Sequence, residues 1–177
     1  MNLFLRFLTL LLTWRLRPRL GFFDEALTPF CVWPTDLDPN LHMNNGVYLS
    51  IMDLARFDLV FRTGLVKFVK SEGLYPVVAS QTIRYRRSLD PFQRFEVGTR
   101  LVGWDERFFF IQQRFLVQGE VYALALVKGR FLKKGGKGVA PSVLAVSQGL
   151  SAESPELPAW VNSWCDSENQ AWEAQKA

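Results

Sequence analysis

Ten consecutive residues, Asp36-Leu37-Asp38-Pro39-Asn40-Leu41-His42-Met43-Asn44-Asn45, carry two carboxylates, three amides and the only imidazole of a 177-residue chain. A carboxylate can attack an electrophilic carbon or deprotonate water. An imidazole nearby can orient water or carry a proton. Side-chain amides and the first N–H groups of a following helix can hold an oxygen on which negative charge develops. The segment therefore has the parts for acyl chemistry on a carbonyl. Asp38 is the candidate nucleophile or base, with Asn40 and His42 beside it. Asn45, Gly46 and Val47, at the start of a helical pattern, are candidates for holding the substrate oxygen.

Each residue also has a plain structural reading. Asp36 suits an Asx-type turn, the commoner use of such an aspartate. Asn44 or Asn45 is a natural N-cap. Asp53 lies on the helical pattern, where pairing with Arg56 or Arg86 is expected before catalysis. A lone histidine is usually structural, but its spacing from Asp38 and Asn40 favours a functional role.

The elements that must position this loop are legible from hydrophobic periodicity. Phe30–Trp33 reads as a first strand ending before Pro34. Gly46 to Thr63 lacks proline and is apolar on most faces, which predicts a buried helix, with Gly64 as its stop. Four strands are predicted beyond it: Tyr75–Arg87, Arg94–Trp104, Arg107–Val117 and Val121–Lys133. Asp105-Glu106 and Gln118-Gly119-Glu120 serve as hairpin turns. Val121 to Val127 is apolar on both faces and should be central. The pattern gives an α+β domain over 24–150, an antiparallel five-stranded sheet wrapped around one long helix. Gly135–Gly138 reads as a loop. Residues 151–177 form a linker, flanked by Pro155 and Pro158, and a short amphipathic helix.

Residues 1–23 form a separate basic segment. Asn2, Arg6, Thr9, Thr13 and Arg17 recur as one narrow polar stripe on an otherwise Leu- and Phe-rich helix. Such a helix can lie in a membrane interface or pack on its own domain. This segment carries four arginines and no acid, whereas residues 151–177 hold five acids and one lysine. The net charge of +4 favours an anionic partner such as lipid headgroups or a phosphorylated carrier. No long basic run is interleaved with aromatics, so nucleic acid is not expected. One histidine and two distant cysteines, Cys31 and Cys165, predict neither a metal site nor a cofactor. A reduced, cytoplasmic setting is the expectation, with peripheral membrane contact through residues 1–19 open.

The pattern D-x-D-x-x-x-H-x-N-N-x-x-Y, from Asp36 through Tyr48, resembles the hotdog-fold acyl-thioester hydrolases of the 4-hydroxybenzoyl-CoA thioesterase type. Asp38-x-Asn40-x-His42 is similar to the catalytic segment of plant acyl-ACP thioesterases. The wider match is to the thioesterase superfamily member six group. It includes Leu54-Ala55-Arg56, Arg86-Arg87-Ser88-Leu89, Phe95-Glu96-Val97, Gly103-Trp104-Asp105 and Pro155-Glu156-Leu157-Pro158, and spans roughly residues 30–160. The resemblance implies a hotdog fold and hydrolysis of acyl-CoA or acyl-ACP. It implies Asp38 as catalytic carboxylate, Asn40 and His42 as helpers, and a homodimer or homotetramer with pockets between subunits. The strand-end arginines Arg84, Arg86 and Arg87 then become candidates for carrier phosphates or acidic carrier-protein helices, although a solvated strand end reads equally well.

Two other functions fit the same segment. A non-catalytic acyl-thioester binder, or a membrane-associated interaction protein, would keep the pocket without turnover. Enoyl-CoA hydratases share an Asp-x-Asn pattern, but their histidine falls five residues after the aspartate rather than four. The paired Asn44-Asn45 places hydratase last.

Overall fold

The computed structural model describes residues 3–176. Helix α2, Asn45–Arg62, runs through its centre. Asn44 caps it by accepting the Gly46 N–H at 2.8 Å, and Gly64 follows its end with φ 77°, a conformation that glycine adopts without steric cost. Val47, Tyr48, Ile51, Met52, Leu54, Ala55 and Leu59 are buried along it. Each large side chain taken from water contributes about 1.5–3 kcal/mol.

The strands are β1 (Ala26–Cys31), β2 (Leu74–Tyr85), β3 (Arg94–Trp104), β4 (Phe109–Val117) and β5 (Glu120–Lys133). They pair antiparallel in the order β1-β3-β4-β5-β2, and a two-residue β6, Gly138–Val139, adds to β5. Register shifts at Val78/Ser80, Leu101/Gly103 and Phe115/Leu116 bend the sheet around α2. The core lies between them, where Val97, Phe115, Ala123, Ala125 and Val127 meet Ile51, Met52 and Ala55. This is the hotdog architecture. Gln118 (φ 50°) and Gly119 (φ 83°) make the two-residue β4–β5 turn, with the left-handed pair that suits a hairpin.

Several elements differ from the sequence expectation. The first strand begins at Ala26 rather than Phe30. Its inward residue Thr28 is polar but donates to buried Asp58 at 2.8 Å, which masks the alternation. Pro29 is accommodated because β1 is an edge strand. Two short helices, α3 (Leu65–Ser71) and α4 (Ser142–Ser147), went unpredicted. Strand β5 is paired on both sides but lies one place from the sheet edge, with β4 central. The C-terminal helix α5, Ala159–Glu173, covers the sheet face opposite α2, where Val161 packs with Phe110 and Leu126.

Helix α1, Leu3–Thr13, is fastened to the domain by its polar side. Buried Arg6 pairs with Asp36 at 2.5 Å and donates to the Cys31 carbonyl at 2.8 Å. Beyond the helix, Arg17 reaches the fully buried Asp58 at 3.0 Å, where Arg62 also arrives at 3.3 Å. Phe7 packs edge-on against Phe57, and Trp14 lies against Phe61.

Candidate active site

The ten-residue segment forms a closed loop over the N-terminus of α2. Its base is a bridge between Leu37 and Met43. The Asp38 N–H donates to the His42 carbonyl at 2.9 Å, and the Asn44 N–H to the Asp36 carbonyl at 2.8 Å. Asp36 anchors the loop, as its turn reading requires. Its Oδ2 accepts the Trp33 N–H at 2.8 Å and the Arg6 guanidinium. At 1% exposure it is out of reach of a substrate.

Asp38 is half-buried and its two oxygens are unequal. Oδ1 accepts the N–H groups of Asn40, at 2.9 Å, and His42, at 3.3 Å. This Asx geometry fixes the carboxylate plane. Oδ2 has no hydrogen-bond partner among the described residues, so it is the oxygen available for chemistry. The side chain of Asn40 is exposed. The His42 imidazole lies 3.7 Å from Asp90 Oδ1, beyond hydrogen-bonding distance. The histidine thus meets Asp38 through its backbone, while its ring faces an aspartate that the sequence reading did not single out. Leu41 holds the loop tip at φ 59°, an uncommon conformation for a side chain of that size.

At the helix start, the Gly46 and Val47 N–H groups are already taken by the Asn44 side chain and carbonyl. That limits their use as oxygen holders, and Val47 is buried besides. The Asn45 carbonyl accepts the Tyr85 hydroxyl at 3.3 Å, which joins the end of β2 to the loop. The Met43 N–H donates to the Leu89 carbonyl at 2.9 Å, so the chain from Tyr85 to Asp90 forms the second wall. Tyr48 and Tyr85 pack edge to face beneath. Burial pushes the Tyr48 hydroxyl up to about 12, so it stays protonated at neutral pH. Arg84, Arg86 and Arg87 are exposed on this wall. Arg87 is engaged with Glu120 at 2.5 Å, whereas Arg84 and Arg86 have no ion-pair partner among the described residues.

A cavity of about 450 Å³ lies elsewhere in the chain. Phe57, Phe61, Val66, Val78, Phe109 and Phe131 are among its lining residues. Gly129 faces Phe109 across the β4–β5 ladder, and a Cβ there would collide with the Phe109 ring. Asp53 and Arg56, which pair with each other, supply its polar rim. Burial pulls Arg56 down to about 10, still charged at neutral pH, and Gln113 accepts from it at 2.8 Å. No lining residue belongs to 36–48. Phe57 lies 12 residues beyond Asn45 on α2, roughly 18 Å along the axis.

The fold is that of the hotdog thioesterases. The family model of the thioesterase-like superfamily matches residues 32–165, and the chain belongs to that family. Among its relatives is Protein THEM6 of Xenopus laevis, 38% identical over 148 residues, covering 81% of this chain and 70% of the frog protein. Protein THEM6 of Drosophila melanogaster is 30% identical over 71% of this chain and 63% of its own length. In three dimensions the chain is similar to the YbaW probable thioesterase from Escherichia coli, with TM-score 0.64 at 22% identity. That match covers 69% of this chain and 94% of the bacterial one.

Proposed function

We propose that the protein hydrolyses acyl-CoA thioesters, with Asp38 as the catalytic carboxylate and two copies of the chain completing each site. The observation that carries this reading is Asp38 itself. One of its oxygens is fixed by two N–H groups and the other has no hydrogen-bond partner among the described residues, in the loop that leads into α2. From Oδ2 the carboxylate either takes a proton from water as that water attacks, or attacks the thioester carbon to give an anhydride that water opens. Both routes end in free acid and thiol. Single-turnover hydrolysis in heavy-oxygen water tests the second route: label found in Asp38 requires direct attack with water opening the anhydride at the Asp38 carbon, whereas general-base attack of water puts label only in the free acid. Asn40, whose side chain is exposed beside Asp38 in the loop, holds the water or the carbonyl oxygen in this reading.

Thiol release from a panel of acyl-CoA and acyl-ACP substrates tests the activity. Hydrolysis of CoA esters is expected; hydrolysis of ACP esters alone would move the carrier assignment, and no thiol release would leave a binding protein. Arg84 and Arg86 suit the carrier's phosphates. Replacing both with alanine is expected to raise KM for acyl-CoA about 10-fold with kcat retained, the signature of lost uniform binding. Unchanged KM would remove them from substrate recognition.

The two-copy reading rests on β2. Its Tyr85 end touches the catalytic loop at Asn45, while Pro76, Val77 and Val78 near its other end line the cavity. It is an edge strand with Tyr75, Val78 and Tyr85 exposed. Antiparallel pairing of two β2 edges would bring the loop of one copy beside the cavity of the other, and would cover an otherwise open edge. The acyl chain then lies in one copy's cavity and the thioester at the other's Asp38. Light scattering is expected to give at least twice the 20.4 kDa of one chain. A monomer with full activity would refute the shared site.

A further inference from the structure

Helix α1 turns its one charged side chain, Arg6, and Leu10 into the protein, and Phe4 and most of its other leucines away from it. Phe4, Leu8, Leu11 and Leu12 are 73, 41, 39 and 70% exposed, and Leu16 beyond them 84%. At 3.6 residues per turn the four helical positions fall within an arc of about 100°, a continuous apolar face. Helix packing reverses the usual assignment, in which the polar stripe meets water. Arg6 is held there by Asp36 and the Cys31 carbonyl, so the outward turn of the leucines is built in rather than incidental.

The charges around this face identify what it fits. Arg15 continues the same side of the helix one turn on and stacks on Trp14, and Arg19 is also exposed. Residues 1–23 contain no acid. An apolar face that ends in arginines, on a segment with no acid of its own, matches the headgroups and upper acyl region of an anionic bilayer. The neighbourhood is consistent with a lipid surface. The inner side of α1 rests on Phe57 through Phe7, and Trp14 rests on Phe61; both phenylalanines line the apolar cavity. No helix among the described residues is long and apolar enough to cross a membrane, so the contact is peripheral. We propose that residues 3–19 dock the protein on an anionic bilayer surface, with Phe4, Leu8, Leu11, Leu12 and Leu16 entering the interface and Arg15 and Arg19 meeting the headgroups. Docking next to the cavity wall places the acyl-binding side of the protein against acyl chains. That consequence rests on the function proposed above; the docking itself does not.

Co-sedimentation of the full chain with vesicles tests this without reference to catalysis. The wild-type protein is expected to pellet with phosphatidylglycerol–phosphatidylcholine vesicles and far less with phosphatidylcholine alone. Leu8→Glu/Leu12→Glu is expected to lower partitioning by at least ~10-fold, since two buried leucines are lost from the contact. Arg15→Gln/Arg19→Gln is expected to weaken binding only to the anionic vesicles. Both sites are exposed, so the thermal midpoint should be unchanged; Leu8→Ser/Leu12→Ser provides the same test should the glutamates disturb folding. Wild-type protein left in the supernatant overturns the proposal, as does a leucine variant that pellets like wild type. A leucine variant that changes the oligomeric mass, with no vesicle binding by wild type, would show instead that this face joins copies of the chain.

Discussion

Asp38→Asn is expected to lower kcat/KM for thioester hydrolysis by at least ~10²-fold, about 2.7 kcal/mol of barrier, while the protein stays folded. The amide keeps the shape of the carboxylate and an oxygen to accept the Asn40 and His42 N–H groups, so the Asx turn persists. It removes the negative charge from Oδ2, and an amide neither attacks an acyl carbon nor takes a proton from water at neutral pH. The two consequences are separable. Far-ultraviolet circular dichroism and the thermal midpoint should match wild type, and thiol release should not. Near-full turnover in the folded variant would take Asp38 out of the mechanism and return it to the role of a turn residue. The same loss is expected for acyl groups of any length, because the carboxylate acts at the thioester and not at the cavity.

What the sequence discloses here depends on whether the determining interaction is local. The central helix is bounded by Asn44 and Gly64, which act on their immediate neighbours, and both limits fall within one residue of the reading. Strand β3 occupies Arg94–Trp104 as expected, and the Gln118-Gly119 turn follows from the conformations those residues tolerate. Asp36 as a turn anchor and Asp53 as the Arg56 partner were legible for the same reason. The misses involve partners far apart in sequence. The polar stripe through Arg6 and Arg17 left open whether the segment meets a membrane or packs on the domain; Asp36 and Asp58, 30 and 41 residues on, draw both arginines inward. Thr28 conceals a strand because its hydroxyl is satisfied across the core by Asp58. The His42 ring faces Asp90, nearly fifty residues later, a proximity no local pattern encodes. The central helix and the Phe108-Phe109-Phe110 run suit an apolar acyl chain, but the cavity's full lining is not legible, since Phe57, Val78, Phe109 and Phe131 share no pattern until the sheet curls.

Removing Arg6 is expected to be among the most destabilising single changes in the chain. Its guanidinium and the Asp36 carboxylate have side-chain exposures of 7 and 0%, so neither charge is appreciably hydrated. Arg6→Met fills part of the volume but leaves a buried carboxylate that accepts only the Trp33 N–H among the described residues. Breaking one side of such a pair costs about 3–5 kcal/mol. At roughly 2–4 °C per kcal/mol for a chain of this size, the midpoint should fall by ~6–20 °C. Much of that cost comes from the stranded charge rather than from the lost attraction. The double variant Arg6→Met/Asp36→Asn should therefore be more stable than Arg6→Met alone, because asparagine can keep the Trp33 bond and brings no charge. Urea unfolding of wild type, both single variants and the double variant closes the cycle, with a coupling of at least ~1 kcal/mol expected for groups in direct contact. Coupling near zero, or Arg6→Met within ~0.5 kcal/mol of wild type, would mean that the pair does not hold α1 to the loop. A large coupling ties α1 to the turn two residues before Asp38, so the helix whose apolar face turns outward also secures the Asp38 loop.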